Sequence, residues 1–525
     1  MKESTRPPSN GNSMPRRALL LSLCVAALAS LPATGPAIAG PGHTIEDDIV
    51  IESADGTPIV ATLMLPAQAS ASTPVPAVIG THGWAGSRSR SPSGLTARLI
   101  DDGYAILTWD SRGFGESGGE ANVGAPGFEV EDAKALLDYL ASRPEIQVDG
   151  PGDPRVGWIG GSNAGGVQLN TAAFDGRVEA IVPEIPWGDL IQDLLPNGVP
   201  KQTWDTILYA GGLATGVALG LQSPAGPQTG AYPPQIHQAF AEVAATGTVS
   251  EPIRKWFAFR STTRWSSRID TLFPLEDGFA NYANIRGNAP VKLIGYCSGH
   301  AIPGCPYPGG ATGYPGGSNG RPPRYQDRIV AWLDRYVKGL DVGTGPGLEW
   351  QAQNGRYYGA PRFPLPGTSW VVGRPLDTGP LAGPGPGGGD GPADGNPAPS
   401  EELGVTAARG RVFGPVDRPK NLVGVPTVNV TGTVTGVQGY VFVELIDRAP
   451  DGTRVTVDDQ VMPVSIEGGE VRLRTALHGV AWRLKPGHVL ELELTTGSTQ
   501  YSIPRTGPFA VDLTATARLP MAPAA

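Results

Sequence analysis

The sequence has little cysteine and histidine, no long block of basic residues and few long apolar runs. Only three of its 525 residues are cysteine and six are histidine. No Cys/His cluster with metal-ligand spacing occurs, so we expect neither a metal nor any other cofactor. Acidic residues exceed basic ones, for a net charge of −9, which argues against nucleic-acid binding. Beyond the N-terminal region, no run reaches the ~18 apolar residues that a transmembrane helix needs.

Glycine and proline, by contrast, are abundant. The 74 glycines and 53 prolines make up about 24% of the chain, close to the ~25–30% at which low-complexity sequence must be considered. A Gly-X-Y repeat is absent, which excludes collagen, and 40% of the residues are hydrophobic, enough for a sizeable core. Most of the glycines and prolines lie in predicted turns, and low-complexity sequence is confined to about 303–323 and 364–399.

Residues 1–39 have the features of a signal peptide. Arg16 and Arg17 precede a short apolar run, and the small residues at 37–39 predict cleavage before Gly40. An N-terminal membrane anchor is the alternative interpretation, and both Sec and twin-arginine export remain open. We therefore expect a protein that is secreted or located in the cell envelope, without membrane contact after signal cleavage.

The chain is several times longer than the ~100–200 residues usual for one domain. Residues 40–345 begin with a predicted hairpin at 44–65 and then alternate apolar strands with helices, which predicts a parallel sheet covered on both faces. A helical stretch at 190–268 interrupts this alternation as a cap insertion. A Gly/Pro-rich connection at 346–400 leads to short strands at 401–520, which predict an all-β sandwich.

Ser162 lies between a predicted strand and a predicted helix, in the run Gly160-Gly161-Ser162-Asn163-Ala164-Gly165-Gly166. This is the position of a nucleophile elbow, where a tight turn exposes the serine hydroxyl at the end of the sheet. Such a turn accepts only small neighbours, and here Ala164 replaces the second glycine of G-x-S-x-G. The backbone amide of Asn163 is placed to stabilise an oxyanion. A phosphate-binding loop and a plain tight turn are the alternatives.

Three further residues fit the same chemistry. Trp84 follows His82 and Gly83 at the end of another predicted strand, where its backbone amide is placed to complete an oxyanion hole. His300 ends a later strand, and Asp270 lies between Ser162 and His300. The chain order Ser…Asp…His is that of α/β-hydrolases.

These motifs resemble the Xaa-Pro dipeptidyl-peptidase-like family of α/β-hydrolases, which includes cocaine esterase and glutaryl-acylase-type acyl hydrolases. The matching segments are Gly160–Gln168, Asp270–Pro274, Ser298–His300, Trp332–Gly339 and a C-terminal stretch at 415–515. The resemblance covers roughly residues 45–515. It implies an α/β-hydrolase fold with a helical cap, plus a C-terminal jelly-roll-like β-sandwich. It also implies that Ser162 is the nucleophile, His300 the general base and then acid, and Asp270 the orienting carboxylate.

The sequence departs from the family pattern in two places. Arg264 and Arg268 precede Asp270, where a buried apolar strand is expected, as though a strand had been deleted. Asp189 is therefore kept as an alternative acid. The tyrosine that assists the oxyanion in cocaine-esterase-like members has no counterpart here, so Trp84 offers only its backbone amide.

Three other residues are candidates near the site. Trp187 follows a predicted strand, where it would contact an apolar acyl or prolyl group of the substrate or else pack as a core aromatic. Cys297 and Cys305 form an even pair in a protein expected to be exported, which permits a disulfide. Two free thiols are the alternative.

The leading hypothesis is an exported serine hydrolase that cleaves ester or amide bonds through an acyl-enzyme, with Xaa-Pro dipeptidyl bonds among the candidates. Its partner would be a small-molecule ester or amide, or a peptide, and the oligomeric state stays open. One alternative is a non-catalytic or impaired hydrolase-fold binding protein, suggested by the missing strand before Asp270. Another is a carbohydrate-binding or adhesion module built on the β domain.

Overall fold

A six-stranded sheet forms the centre of the N-terminal half. The computed structural model describes residues 42–228, 230–264, 275–295, 325–353, 355–383, 406–498, 501 and 508–524. The strands are β1 (His43–Glu52), β2 (Pro58–Pro66), β3 (Ala77–Thr81), β4 (Ala105–Trp109), β7 (Val156–Gly161) and β8 (Val178–Glu184). Their order is β1-β2-β4-β3-β7-β8. The first two strands form the predicted antiparallel hairpin, and β4, β3, β7 and β8 run parallel.

Helices cover both faces of this sheet. They are α1 (Gly94–Asp101), α2 (Glu129–Ser142), α3 (Asn163–Phe174) and α9 (Tyr325–Tyr336). Ile79 of β3 packs in one buried cluster with Leu136 of α2, whereas its neighbour Val78 packs in another with Leu99 of α1 and Leu333 of α9. Because successive strand residues point to opposite faces, both faces of the sheet are buried, as the apolar strands predict. A short hairpin, β5 (Val148–Gly150) and β6 (Asp153–Pro154), precedes β7.

A helical insertion follows β8. Its helices are α4 (Leu190–Leu194), α5 (Gln202–Gly220), α6 (Pro234–Thr246) and α7 (Glu251–Ala258), with 3-10 turns at Pro196–Gly198 and Thr262–Arg264. Helix α8 (Leu275–Ile285) then leads to β9 (Leu293–Gly295), which pairs with β10 (Leu348–Gln351) and not with β8. Strand β11 (Tyr357–Ala360) completes this three-stranded sheet. Within the described part of 185–292 there is no strand, so among the described residues β8 ends the six-stranded sheet and β9 belongs to another sheet.

The C-terminal part is an antiparallel all-β domain of nine strands. They are β12 (Ser369–Val372), β13 (Leu376–Ala382), β14 (Ala407–Phe413), β15 (Lys420–Gly424), β16 (Thr427–Arg448), β17 (Arg454–Ala476), β18 (Val480–Leu484), β19 (Val489–Thr495) and β20 (Ala510–Pro523). Strands β16 and β17 form one long hairpin. A single buried cluster that includes Phe442, Trp482 and Leu492 forms the core.

The fold class predicted from the sequence is confirmed: an α/β-hydrolase domain with a helical insertion and a C-terminal all-β domain. Two details differ. The stretch at 346–400, predicted as a Gly/Pro-rich connection, contains the four short strands β10 to β13. Residues 427–434 and 440–446, predicted as two strands, are parts of one strand, β16. Both predictions rely on local sequence patterns. The observed strands are stabilised by pairing with β9, β17 and β20, which a local pattern does not reveal. The jelly-roll assignment stays a prediction.

None of the helices in the described ranges combines the length and apolar character needed to cross a membrane.

Candidate active site

Ser162 occupies a sharp turn between β7 and α3, as the motif predicts. Its backbone has φ 58° and ψ −120°, a region that residues with a side chain rarely adopt. Its N–H donates to the carbonyl oxygen of Glu184 at 2.8 Å, which fixes the turn to the end of β8. A Cβ on Gly160 would lie 2.6 Å from the carbonyl oxygen of Thr81. The turn therefore requires the small residues that the sequence supplies.

The loop after β8 packs directly against the first turn of α3. A Cβ on Gly165 would lie 2.8 Å from Cβ of Pro186, and one on Gly166 would lie 2.2 Å from Cζ2 of Trp187. The Trp187 indole N–H donates to the carbonyl oxygen of Arg260 at 3.0 Å. These contacts are those of a packed aromatic side chain that supports the Ser162 turn, and substrate contact by Trp187 stays a prediction.

The loop after β3 lies beside the serine. A Cβ on Gly83 would lie 3.7 Å from Cβ of Ser162, which brings the segment containing the Trp84 amide to the nucleophile. The Trp84 side chain points to the insertion: its indole N–H donates to Leu208 O at 3.0 Å, and its ring stacks on Tyr232 at 5.5 Å. Asn163 begins α3, where backbone amides lack intrahelical acceptors. Both predicted oxyanion amides therefore belong to segments that meet at Ser162.

His82 has a structural role in the same loop. Its Nδ1 lies 2.7 Å from Gly83 O, and its Nε2 accepts from the Ser111 N–H at 2.9 Å. This pattern fits a neutral ring that carries its proton on Nδ1, and burial lowers the pKa of His82. Asp110 accepts from the backbone N–H of Arg88 and from its guanidinium, both at 2.5 Å. The ring and the ion pair hold the loops after β3 and β4 together.

The other predicted catalytic residues cannot be located. Asp270, His300, Cys297 and Cys305 lie outside the described residues, so the triad and the disulfide stay predictions. Asp189 is described: its carboxylate accepts from the N–H of Ile191 at 3.0 Å and caps α4. Helix capping accounts for its presence.

Sequence reasoning missed a group of acidic side chains where the insertion, α8 and the β domain meet. We call Asp193 of α4 together with Glu276 and Asp277 of α8 the carboxylate cluster. Asp193 accepts a hydrogen bond from the Gly188 N–H at 3.3 Å, and its carboxyl group interacts electrostatically with that of Asp277. Glu276 is held by the β17–β18 loop, through His478 Nδ1 at 2.5 Å and the Gly479 N–H at 2.8 Å. No local sequence pattern indicates this cluster. Glu276 and Asp277 lie in the first turn of a helix, where acidic residues are common for electrostatic reasons and give no signal of a site.

The charges of the carboxylate cluster are unequal. Burial raises the pKa of both Asp193 and Asp277, and repulsion between the two carboxylates raises that of Asp277 further. The pair therefore retains a proton near neutral pH. Burial also acts to raise the pKa of Glu276, but attraction and a hydrogen bond from His478 outweigh it and lower this pKa to about 2. Glu276 is thus ionised beside a protonated acid pair.

The carboxylate cluster is linked to the Ser162 turn through the loop after β8. A Cβ on Gly188 would lie 2.1 Å from Oδ1 of Asp277, so the Asp277 side chain packs on that glycine. The preceding residue, Trp187, lies against Gly166 in the first turn after Ser162. One short loop therefore connects the carboxylate cluster to the elbow.

Two family models match the chain. The X-Pro dipeptidyl-peptidase (S15 family) model matches residues 55–256, and the X-Pro dipeptidyl-peptidase C-terminal non-catalytic domain model matches residues 414–522. Together they span more than half of the chain. This chain belongs to the X-Pro dipeptidyl-peptidase-like hydrolase family. The resemblance inferred from the motifs is thereby confirmed.

Solved structures similar to this family member share its fold over nearly the whole chain. A CocE/NonD family hydrolase from Staphylococcus aureus has a TM-score of 0.65 at 12% identity, covering 94% of this chain and 100% of that one. An α-amino acid ester hydrolase has a TM-score of 0.63 at 13% identity, covering 94% and 99%. At these identities the likeness shows the fold alone.

Curated relatives match a shorter stretch. An uncharacterized protein from Pseudomonas aeruginosa is 35% identical over 129 residues, which is 24% of this chain and 33% of that protein. The chain thus spans about a third of the length of this relative, and no activity follows from the match.

Proposed function

We propose that this protein is an exported serine hydrolase that cleaves ester or amide bonds through an acyl-enzyme on Ser162. The main support is the backbone of Ser162, whose φ of 58° and ψ of −120° are those expected of a nucleophile elbow. Such a conformation costs about 1–3 kcal/mol and is retained mainly at functional sites. The signal-like segment at 1–39 supports export.

In the proposed reaction, the Ser162 hydroxyl attacks the substrate carbonyl while His300 removes its proton and Asp270 orients the imidazole. The backbone amides of Asn163 and Trp84 donate to the oxyanion of the tetrahedral intermediate. The bond to the leaving group then breaks, and His300 returns the proton to the departing oxygen or nitrogen. Water activated by His300 hydrolyses the acyl-enzyme and releases Ser162.

We further propose that the acyl part of the substrate carries an α-ammonium group, which the carboxylate cluster binds. The acid pair retains a proton at neutral pH because two negative charges so close together repel each other. A substrate ammonium group can take the place of that proton. Glu276 adds a full negative charge, and its side chain keeps 36% of its surface exposed. Free-amine aminoacyl esters and dipeptidyl amides, including Xaa-Pro ones, carry such a group.

A second feature supports a polar ligand here. Asn281 follows Asp277 by one helical turn, and side chains four residues apart share one face of a helix. It is 0% exposed, yet within the described part of the chain neither its Oδ1 nor its Nδ2 has a hydrogen-bond partner. Because buried amides are normally paired, the face of α8 that bears Asp277 has unused hydrogen-bonding capacity.

The serine mechanism is tested with an active-site fluorophosphonate and with p-nitrophenyl acetate. Wild-type protein is expected to take up one label and to turn over the ester, and Ser162→Ala to do neither. Removing the nucleophile of such a site lowers kcat by about 10⁶-fold. Ser142→Ala, which alters an exposed serine of α2, is the matched control and should behave as wild type. Labelling that persists in Ser162→Ala contradicts the mechanism.

The ammonium preference is tested with an aminoacyl p-nitrophenyl ester and its N-acetyl counterpart. The free amine is expected to raise kcat/KM by about tenfold or more, which corresponds to the free energy of one charge-assisted hydrogen bond. Equal values for the two substrates would remove the ammonium part of the proposal and leave the serine part standing.

A non-catalytic role is the second candidate, favoured by the absence of a strand between β8 and β9 in the described residues. A missing or misplaced acid lowers kcat by about 10⁴-fold in a well-studied triad. Labelling of Ser162 without measurable ester turnover would favour this candidate.

A further inference from the structure

We infer, on the basis of the proposed ammonium pocket, that His478 of the C-terminal β domain is a positioning residue that holds Glu276 in the carboxylate cluster. The β domain lies far from the nucleophile in sequence, and its family model is described as non-catalytic. Nevertheless, it supplies a side chain that contacts Glu276, whereas the carboxylate cluster itself comes from the insertion and α8.

Both oxygens of the Glu276 carboxylate are held by the same loop. His478 Nδ1 lies 2.5 Å from Oε1, and the Gly479 N–H donates to Oε2 at 2.8 Å. The two contacts fix the carboxylate in position and orientation. Each carboxylate oxygen can accept more than one hydrogen bond, so a substrate ammonium can still bind to Glu276.

The surroundings of His478 favour its hydrogen bond to Glu276. The carboxyl groups of Asp193 and Asp277 disfavour a further negative charge, and Lys201 opposes them from the start of α5. His478 is only 8% exposed and shares a small cavity with apolar side chains such as Leu445 and Leu477. A hydrogen bond is stronger in such apolar surroundings than in water, so loss of the imidazole should leave the Glu276 carboxylate less firmly positioned.

The β domain also contacts the segment that follows Asp193. The Asn197 side-chain amide donates to Pro463 O at 2.8 Å and to Thr475 Oγ1 at 3.1 Å. Val199 is fully buried in the hydrophobic cluster of the β domain. These two residues lie between Asp193 and Lys201 in the chain. The same domain therefore positions Asp193 through the 3-10 turn and Glu276 through His478.

Kinetics of His478 variants with the two esters test this role. His478→Leu removes the donor at similar volume, whereas His478→Asn keeps an amide donor at the δ position. We expect His478→Leu to lower the ratio of kcat/KM between the free-amine and N-acetyl esters about tenfold, mostly through KM. His478→Asn should retain most of the wild-type ratio. If His478→Leu does not fold, His478→Gln, whose donor lies one bond further out, takes its place with the same expected loss.

A matched control comes from the same domain. His488 Nδ1 lies 2.8 Å from Asp447 Oδ1, in a second His–acid pair of the β domain whose side chains are at most 15% exposed. His488→Leu should leave the substrate ratio as in wild type, even if it lowers the melting temperature. An equal fall in the ratio in His488→Leu and His478→Leu would reduce His478 to a purely structural residue and overturn the inference.

The remaining outcomes separate the two proposals. A wild-type preference for the free amine that survives in His478→Leu or His478→Gln overturns the role of His478 and leaves the ammonium pocket intact. No wild-type preference removes the pocket, and the role of His478 with it. A preference that falls in His478→Leu and is retained in His478→Asn supports both.

Discussion

The backbone of Ser162 combines a φ of 58° with a ψ of −120°. A residue with a Cβ adopts this conformation only when its surroundings impose it. Here the surroundings are the hydrogen bond from its N–H to Glu184 O and the close packing of Gly160 and Gly165 on neighbouring backbone and side-chain atoms. The strain is therefore a property of one residue that several others maintain.

The strain at Ser162 predicts that two inactive variants differ in stability. Ser162→Gly removes the Cβ and with it the strain, whereas Ser162→Ala retains it. Glycine also loses more backbone entropy on folding, by roughly 0.5–1 kcal/mol. With strain of about 1–3 kcal/mol, the net expectation is that Ser162→Gly is more stable than Ser162→Ala by about 1 kcal/mol. Urea unfolding of both variants measures the difference, and a less stable glycine variant would contradict it.

The conformation of a single residue could be predicted from the sequence where a short contiguous motif permits only one conformation. The run from Gly160 to Gly166 could be assigned to an elbow because small residues are needed at each close approach. Trp187 allowed two interpretations, because its contact with Gly166 arises only when β8 and α3 are packed. Asp193 was missed altogether, because its partners Glu276 and Asp277 are distant in the chain.

At the scale of elements, the start of α8 carries charged side chains that also make tertiary contacts. The first turn of α8 contains Glu276 and Asp277, whose carboxylates complement the helix N-terminus. Both acids also face other groups: Glu276 contacts His478, and Asp277 lies beside the carboxylate of Asp193, which helps to raise its pKa. One helix end thus combines a low-pKa acid and a high-pKa acid.

The raised pKa of Asp277 predicts a pH-dependent stability. In the unfolded chain the group ionises near its ordinary pKa of 3.8, and in the folded protein it does so at higher pH. The folded state thus binds more protons, so this group lowers stability as pH rises above its ordinary pKa of 3.8. Asp277→Asn mimics the protonated acid, so its melting temperature should exceed that of wild type increasingly between pH 5 and pH 8.

Asp341→Asn alters a fully exposed carboxylate and should follow wild type across the same pH series. Glu276 acts in the opposite sense and at lower pH. Its pKa of about 2 lies below the ordinary 4.5, so its contribution to stability is lost only as pH falls below about 4. If the melting temperatures of Asp277→Asn and wild type differ by the same amount from pH 5 to pH 8, the raised pKa of Asp277 is contradicted.

For the whole molecule, the insertion and the β domain share packing. Val199 follows the 3-10 turn at Pro196–Gly198 and is 0% exposed within the core of the β domain. Asn197 adds hydrogen bonds to β17. The β domain is thereby joined to the part of the catalytic domain that bears Asp193.

Truncation of Val199 tests this connection. Val199→Ala should lower the free energy of unfolding by about 1–3 kcal/mol, because it leaves a cavity in a closed core. Val217→Ala, on the surface of α5 where the side chain is 44% exposed, is the matched control and should change it by less than about 0.5 kcal/mol. Equal effects in urea unfolding would mean that the insertion and the β domain do not share a core in solution.

The sequence by itself determined the alternation of strands and helices, the helical insertion, the all-β C-terminal part and the elbow at Ser162. Each of these follows from hydrophobic periodicity or from a contiguous run of small residues, which act over a few residues of chain. The tertiary structure alone decided that Trp187 packs on Gly166 and that Glu276 contacts His478, 202 residues away. Contacts between residues so far apart depend on how domains pack, and no local pattern in the chain encodes them.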